Sequence, residues 1–288
     1  MTRRQVPVIF NHQLLRKRLA RAGCGDGGDN FLIHRITEDI SSRLDLITRN
    51  FEVCALFGNH FDDMVSELSD LPNLGELVSL GCTEEYLPLA NESINLAISP
   101  LTLQHVNDLP GALIQLKRSL KPDGLLIAAF LGGDTLIELR DAMLSAEIEI
   151  KGGAGLRIHP RVDIRDLGSL LQRAGFALPV VDSDKITVTY RSTLHLMHDL
   201  RALGLTNVLT QGAGSSLSRP ILAKLEEIYK ERYPAPDNRI TATFEIIYLT
   251  GWAPHESQQK PLKPGSATTR LADALKTQEM TFLDKLDK

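Results

Sequence analysis

The chain has 288 residues, 43% hydrophobic and 24% charged, with a formal net charge of −4, enough for one large α/β domain or a domain with a sizeable cap. The acidic balance argues against a nucleic-acid surface, which needs a basic excess, and no apolar run approaches the roughly 20 residues of a membrane span. Cys24, Cys54 and Cys82 form no CxxC pair and fit reduced thiols better than a disulfide framework or zinc site; with no signal-peptide core at the N-terminus, this points to a cytoplasmic protein.

Residues 10–22 (FNHQLLRKRLARA) read as a basic amphipathic helix. Leu14, Leu15 and Leu19 dock it on its own domain, although the same basic face suits a membrane surface or a partner. CGDGGDN, 24–30, lacks the strand-then-helix setting of a phosphate loop and reads as a connection. Asn30 caps a helix carrying Leu32, Ile36, Ile40, Leu44 and Ile47 on one face. Residues 1–50 thus form N-terminal helices packed on a core.

FEVCALFGNH, 51–60, is a short apolar strand running into one glycine, the setting of the first, mid-sheet strand of a doubly wound fold. Asp62 to Ser69 suggests a short helix ended by Pro72. Glu76 to Leu80 and Ile94 to Ser99 are the second and third strands, the third buried on both faces as parallel strands are. Asp108 begins a helix with Pro110 in its first turn. Lys121 to Gly124 is a turn that launches the strand Leu125 to Leu131. Thr135 with Glu138 offers a capping box for the next helix. Asp163 to Ala174 is helical, with Gly175 placed to end it in the left-handed conformation.

Phe176 to Val181 and Lys185 to Tyr190 read as two strands. Helices near 193–203 and 217–232 form a cap, and Arg239 to Leu249 is a long apolar strand. The spacing of elements predicts a core over 51–252, cap helices over about 192–232 and an extended tail over 253–288. A short helix at Leu271 to Leu275 is possible in that tail. Strand and helix alternate, as in a parallel sheet with crossover helices.

No GxxxxGK[ST], GxSxG or HExxH occurs, which weighs against P-loop, α/β-hydrolase and zincin chemistry. His195 and His198 share a helix face, as two metal ligands would, yet that spacing more often marks packing or surface residues, and no metal site is assigned.

The informative pattern spans residues 85–134: YLPL before NESINL, then LQHVNDLPG and LKRSLKPDG. It resembles class I S-adenosylmethionine-dependent methyltransferases of type 11. GGDTLIELRDAM, RVDIRDLGSLLQRAGFALPVVD, ITVTY, LMHDLRALG and YLTGWAP are similar to one subfamily. That subfamily contains the mitochondrial complex I assembly factor described as a protein arginine hydroxylase and, more distantly, the malonyl-carrier methyltransferase of biotin synthesis. The resemblance covers nearly the whole chain. It implies a Rossmann-like α/β fold: a seven-stranded, mostly parallel sheet, its last strand antiparallel, with helices on both faces and a helical cap.

By that resemblance S-adenosylmethionine is the cofactor. Phe57, Gly58 and Asn59 fall in the first turn, Cys82 and Thr83 near the adenine contact, and Ser99 and Leu101 after the strand whose turn lines the methyl group. The implied role is methyl transfer or arginine modification linked to respiratory complex I assembly. The partner is then a protein acceptor or assembly partner, met in the cytoplasm or at the periphery of the inner membrane. The chain departs from the family pattern at the cofactor itself. "DLGCGTG" is replaced by Leu56-Phe57-Gly58-Asn59-His60-Phe61, and Ser79-Leu80-Gly81 stand where a strand-two acid is usual. A non-catalytic pseudo-methyltransferase acting as a binding partner is therefore the alternative. His105 and Tyr190 are the candidates to take or orient a proton.

Overall fold

The computed structural model describes residues 6–23, 30–58, 62–81, 86–155, 157, 163–211, 217–259, 265–266 and 268–277. Two N-terminal helices, α1 (His12–Gly23) and α2 (Phe31–Asp45), precede β1 (Phe51–Phe57), α3 (Asp62–Ser69), β2 (Leu74–Leu80) and β3 (Ile94–Pro100). A one-turn 3₁₀ segment, Leu103–His105, leads into α4 (Leu109–Ser119) and β4 (Leu120–Leu131). Then come α5 (Ile137–Lys151), α6 (Ile164–Ala174), β5 (Ala177–Tyr190), α7 (Thr193–Ala202), α8 (Arg219–Arg232), β6 (Pro234–Ala235) and β7 (Arg239–Trp252). The chain divides into two compact units, 1–254 and 255–288. The second contains the short α9 (Leu271–Leu275).

The sheet has seven strands in the order β2-β1-β3-β4-β7-β5, with the two-residue β6 paired to β7. β1 to β4 run parallel, and β7 is antiparallel to both β4 and β5. This is the mostly parallel sheet with an antiparallel last strand that the resemblance implies. Alternation along the strands sends side chains to two apolar layers. On one face, Cys54, Leu56, Leu96, Ile98, Ile127 and Tyr248 pack against the apolar stripes of α2, α3, α5, α7 and α8. On the other, Ala55, Phe57, Ala97, Leu126, Phe130 and Leu249 meet α4 and α6.

The α2 stripe is as its period requires: Leu32, Ile36, Ile40 and Leu44 are fully buried. Asn30 sits at the N-cap position but its side chain makes no capping bond. Asp108 does cap α4, accepting from the Gly111 amide at 2.9 Å, and Gly175 closes α6 at φ +87°.

Besides the Asn30 cap, three expectations are corrected. The two strands at 176–190 are one. β5 pairs without a break in chain from Val180 to Tyr190 against β7. Its polar middle stays extended because Arg43 donates to Asp182 at 2.8 and 2.7 Å and Arg35 to Asp184 at 3.0 and 2.9 Å. The Lys121–Gly124 turn lies inside β4. Asp123, at φ +65°, absorbs a register shift between β3 and β4 while its amide bonds the Ala253 carbonyl at 3.1 Å. The Thr135–Glu138 capping box does not form: α5 starts after Leu136 in the left-handed conformation, with no side-chain cap.

Register sets one more feature. Ile246 of β7 lies opposite both Leu131, the last residue of β4, and Asp184 of β5. Beyond it β5 and β7 continue as a two-stranded ribbon for six more residue pairs, to Tyr190 and Ile240, roughly 20 Å past the carboxyl edge of the parallel strands. Among the described residues no helix is long and apolar enough to cross a membrane.

Candidate functional site at the carboxyl edge of the sheet

In open α/β sheets ligands bind beyond the carboxyl ends of the strands where the strand order reverses, here between β1 and β3. Gly58 leaves β1 at φ +148°, a conformation that favours glycine. Its amide donates to Leu80 O at 2.9 Å, which joins the ends of β1 and β2. The Thr102 hydroxyl lies 2.8 Å from Phe57 O and 3.0 Å from Pro100 O, tying the β1 turn to the β3 turn. Leu101, at φ +53° and buried, bonds Ala129 O at 2.9 Å. Gln104 accepts from the Leu131 amide at 3.0 Å and so joins the 3₁₀ turn to the end of β4.

Of the residues expected to hold a cofactor, the structure brings Phe57, Gly58, Ser99 and Leu101 to this edge. Phe57 is only 1% exposed and packs in the α4 layer with Leu87, Leu103 and Leu113. Ser99 is fully buried and its hydroxyl has no hydrogen-bond partner. Asn59, Cys82 and Thr83 lie outside the described residues, as do His60 and His159.

The residues present fit an adenosyl cofactor incompletely. Gly58 permits close backbone approach, and the orphaned Ser99 hydroxyl is a polar atom without a protein role. A ribose needs an acidic side chain at a strand end, however, and the described ends of β1 and β2 present Leu56 and Leu80. Leu56 is fully buried in the core, where a carboxylate would cost several kcal/mol, of order 2–7 for even a neutral polar group. Cys54 two residues earlier is equally buried, and desolvation pushes its thiol up to about 11, so it is inert.

The β4 side of the edge is built differently. Gly132 N donates to Glu245 O at 2.7 Å, and Leu136 N to Thr243 O at 2.7 Å. Asp134 N donates to the Glu245 carboxylate at 2.8 Å, and the Thr135 hydroxyl bridges the Glu245 carbonyl and amide at 3.0 Å each. The Glu138 carboxylate accepts from the Thr243 amide and hydroxyl. Residues 132–138 are thus latched to the projecting ribbon. Gly132 is required by contact: a Cβ there would lie 2.5 Å from Glu245 Oε2. Near the end of α5, buried Glu147 accepts from the Gly155 amide at 2.9 Å and from Arg157 at 3.0 and 2.8 Å. Burial would raise its carboxyl, but the amide and the guanidinium hold it below the ordinary value.

His105, buried on the 3₁₀ turn, lies beneath the N-terminal segment. Phe10 packs edge-on against its ring with centroids 5.9 Å apart, and the His12 ring bonds its carbonyl at 3.1 Å. Asn107 holds that segment by accepting from the amides of Ile9 and Phe10 at 2.7 and 2.8 Å. Asn11 N and Thr210 N close it against the 205–211 loop. Tyr190 stands at the far end of the ribbon, buried against the α7 and α8 layer, so the structure does not place it with His105. His195 engages the Ser192 hydroxyl at 2.8 Å, and no metal-ligating cluster occurs among the described residues. Thr102, Asn107 and Glu245 carried no signal in the sequence, because each acts on backbone far along the chain.

A family model for a methyltransferase domain matches residues 22–128. The chain is 43% identical over 193 residues to "Arginine-hydroxylase NDUFAF5, mitochondrial" of Danio rerio, covering 67% of this chain and 60% of the relative. The human protein of that name is 42% identical over 196 residues, 68% and 56% of the two chains. "Malonyl-[acyl-carrier protein] O-methyltransferase" of Halorhodospira halophila (strain DSM 244 / SL1) is 38% identical over 166 residues, 58% and 54%. The chain spans less than two thirds of the length of these relatives. Among solved structures, Haemonchus contortus phosphoethanolamine N-methyltransferase 2 in complex with S-adenosyl-L-methionine aligns over 85% of this chain and 58% of its own, at 10% identity and a TM-score of 0.41.

Proposed function

We propose that this chain, built on a methyltransferase domain, serves the assembly of respiratory complex I by acting at an arginine of a protein acceptor. The observation that carries this reading is the 43% identity to a mitochondrial arginine hydroxylase. In this reading the protein works in the cytoplasm at the periphery of the inner membrane. Its latched β4 side positions the acceptor, because group transfer gains most of its rate from placement. His105 is the candidate proton handler beside β3, with Tyr190 the candidate on the ribbon.

S-adenosylmethionine, the cofactor of the fold family, finds only part of its usual cradle here, and no chemical step is assigned to it. Leu56 and Leu80 favour a second reading, in which the chain binds an assembly partner without catalysis. Deleting the gene and weighing the arginine-bearing peptides of isolated complex I separates the two. Loss of assembly together with a mass-shifted arginine supports the first. Loss of assembly with the same arginine masses in both strains supports the second, and normal complex I without the gene contradicts both.

A further inference from the structure

The β2 edge of the sheet is unusual in both pairing and charge. β2 ends the strand order, and no described strand pairs with its outer side. Residues 81–93 carry the chain directly from β2 to β3, too few for another strand with a crossover on each side. An uncovered strand presents a row of backbone donors and acceptors, which proteins ordinarily cover, shorten or guard with charge. Here Gly75, Glu76, Val78 and Ser79 are exposed.

The stretch of sequence that builds this edge carries charge of one sign. Between Arg49 and Lys117 the sequence has ten Asp and Glu residues and no lysine or arginine, although the whole chain is only −4. Asp63 and Glu67 on α3, Asp70 after it and Glu76 on β2 are exposed; among the described residues none of the four is in a salt bridge, and Lys121 of β4 pairs instead with Glu52 of β1 at 3.7 Å. The same charge disfavours a second copy as the covering strand, since two β2 edges would oppose like charges across the new pair.

We propose that the outer edge of β2 docks an extended, arginine- or lysine-bearing segment of a partner protein, which adds a strand to the sheet. Backbone pairing supplies the affinity and the acidic surround selects the basic side chains. The segment would run alongside β2 to Leu80, whose carbonyl holds the Gly58 amide, and so would reach the carboxyl edge. This goes beyond the assembly reading and stands without it.

The test uses the full chain and a fluorescein-labelled peptide of about ten residues alternating arginine and valine, a typical strand length. One control has glutamate for arginine. A second keeps the charges but has proline at alternate positions, which removes the ladder donors. Anisotropy measures binding, and hydrogen exchange reads the amides of Leu74–Leu80. Expected is binding of the arginine peptide alone, with β2 exchange slowed about tenfold or more. Glu67→Lys with Glu76→Lys, both at exposed positions, should weaken binding about tenfold. The proposal is overturned if the proline peptide binds equally, if the glutamate peptide binds equally, or if the arginine peptide fails to bind. It is also overturned if binding leaves β2 exchange unchanged, or if β2 becomes protected with protein concentration in the absence of peptide, which would make a second copy the occupant.

Discussion

The two sides of the carboxyl edge are held by different chemistry. On the β4 side, residues 132–138 meet the β5–β7 ribbon through backbone bonds and two carboxylates, Glu138, which accepts from the Thr243 amide and hydroxyl, and Glu245, which accepts from the Asp134 amide. On the β1–β2 side the strands end in Leu56, Phe57 and Leu80, with the Ser99 hydroxyl unpartnered. Polar side chains build the frame on the β4 side, whereas apolar side chains end the strands on the β1–β2 side. Packing and ligand recognition rest on different residues of a fold, so one architecture can carry sites of different chemistry.

Substitutions should separate the two sides by size of effect. Arg157→Ala removes a partner from Glu147, whose side chain is 2% exposed. A loss of about 3 kcal/mol in urea unfolding is expected, as for broken buried pairs. Because the Glu147 carboxyl lies below its ordinary value, its contribution is present above the unfolded-state value of 4.5. It is lost as pH falls through the lower native value. Glu147→Gln should therefore flatten the acid limb of the stability curve, and an unchanged limb would contradict that role.

Gly132→Ala drives a Cβ onto a carboxylate fixed by Asp134 N, and about 2 kcal/mol should be lost. If Glu245 swings away at no cost, the latch is not rigid. Thr102→Val removes the hydroxyl that ties the β1 and β3 turns and should cost about 1 kcal/mol. Arg35→Ala, at a half-exposed pair with Asp184, should lower the urea midpoint least of this set and test whether the polar middle of β5 needs that pair. Hydrogen exchange at Asp182–Asp184 would detect the ribbon splitting there.

What could be read from the sequence follows contact range. The α2 stripe, the apolar run of β3, the Asp108 cap and Gly175 are set by residues a few positions apart, and the chain displays them. The 182–184 stretch looked like a break between strands because its partners, Arg35 and Arg43, lie 149 and 139 residues away. Thr135 and Glu138 have capping-box spacing, yet β7 takes both side chains from 110 and 105 residues away. Gly58, Ser99 and Leu101 do reach one edge, whereas the N-terminal segment over His105 depends on Asn107, 98 residues from Ile9. The composition of the first turn, with one glycine and no acid, is likewise written in adjacent residues.

We propose that the β1–β2 side, with Leu56 and Leu80 at its described strand ends, does not hold an adenosyl cofactor. Isothermal titration of the purified chain with S-adenosylmethionine tests it directly. Expected is no saturable heat below about millimolar ligand, corresponding to about −4 kcal/mol or weaker. Saturation at micromolar ligand, about −8 kcal/mol, would contradict the claim and restore the chain to ordinary methyl-donor binding.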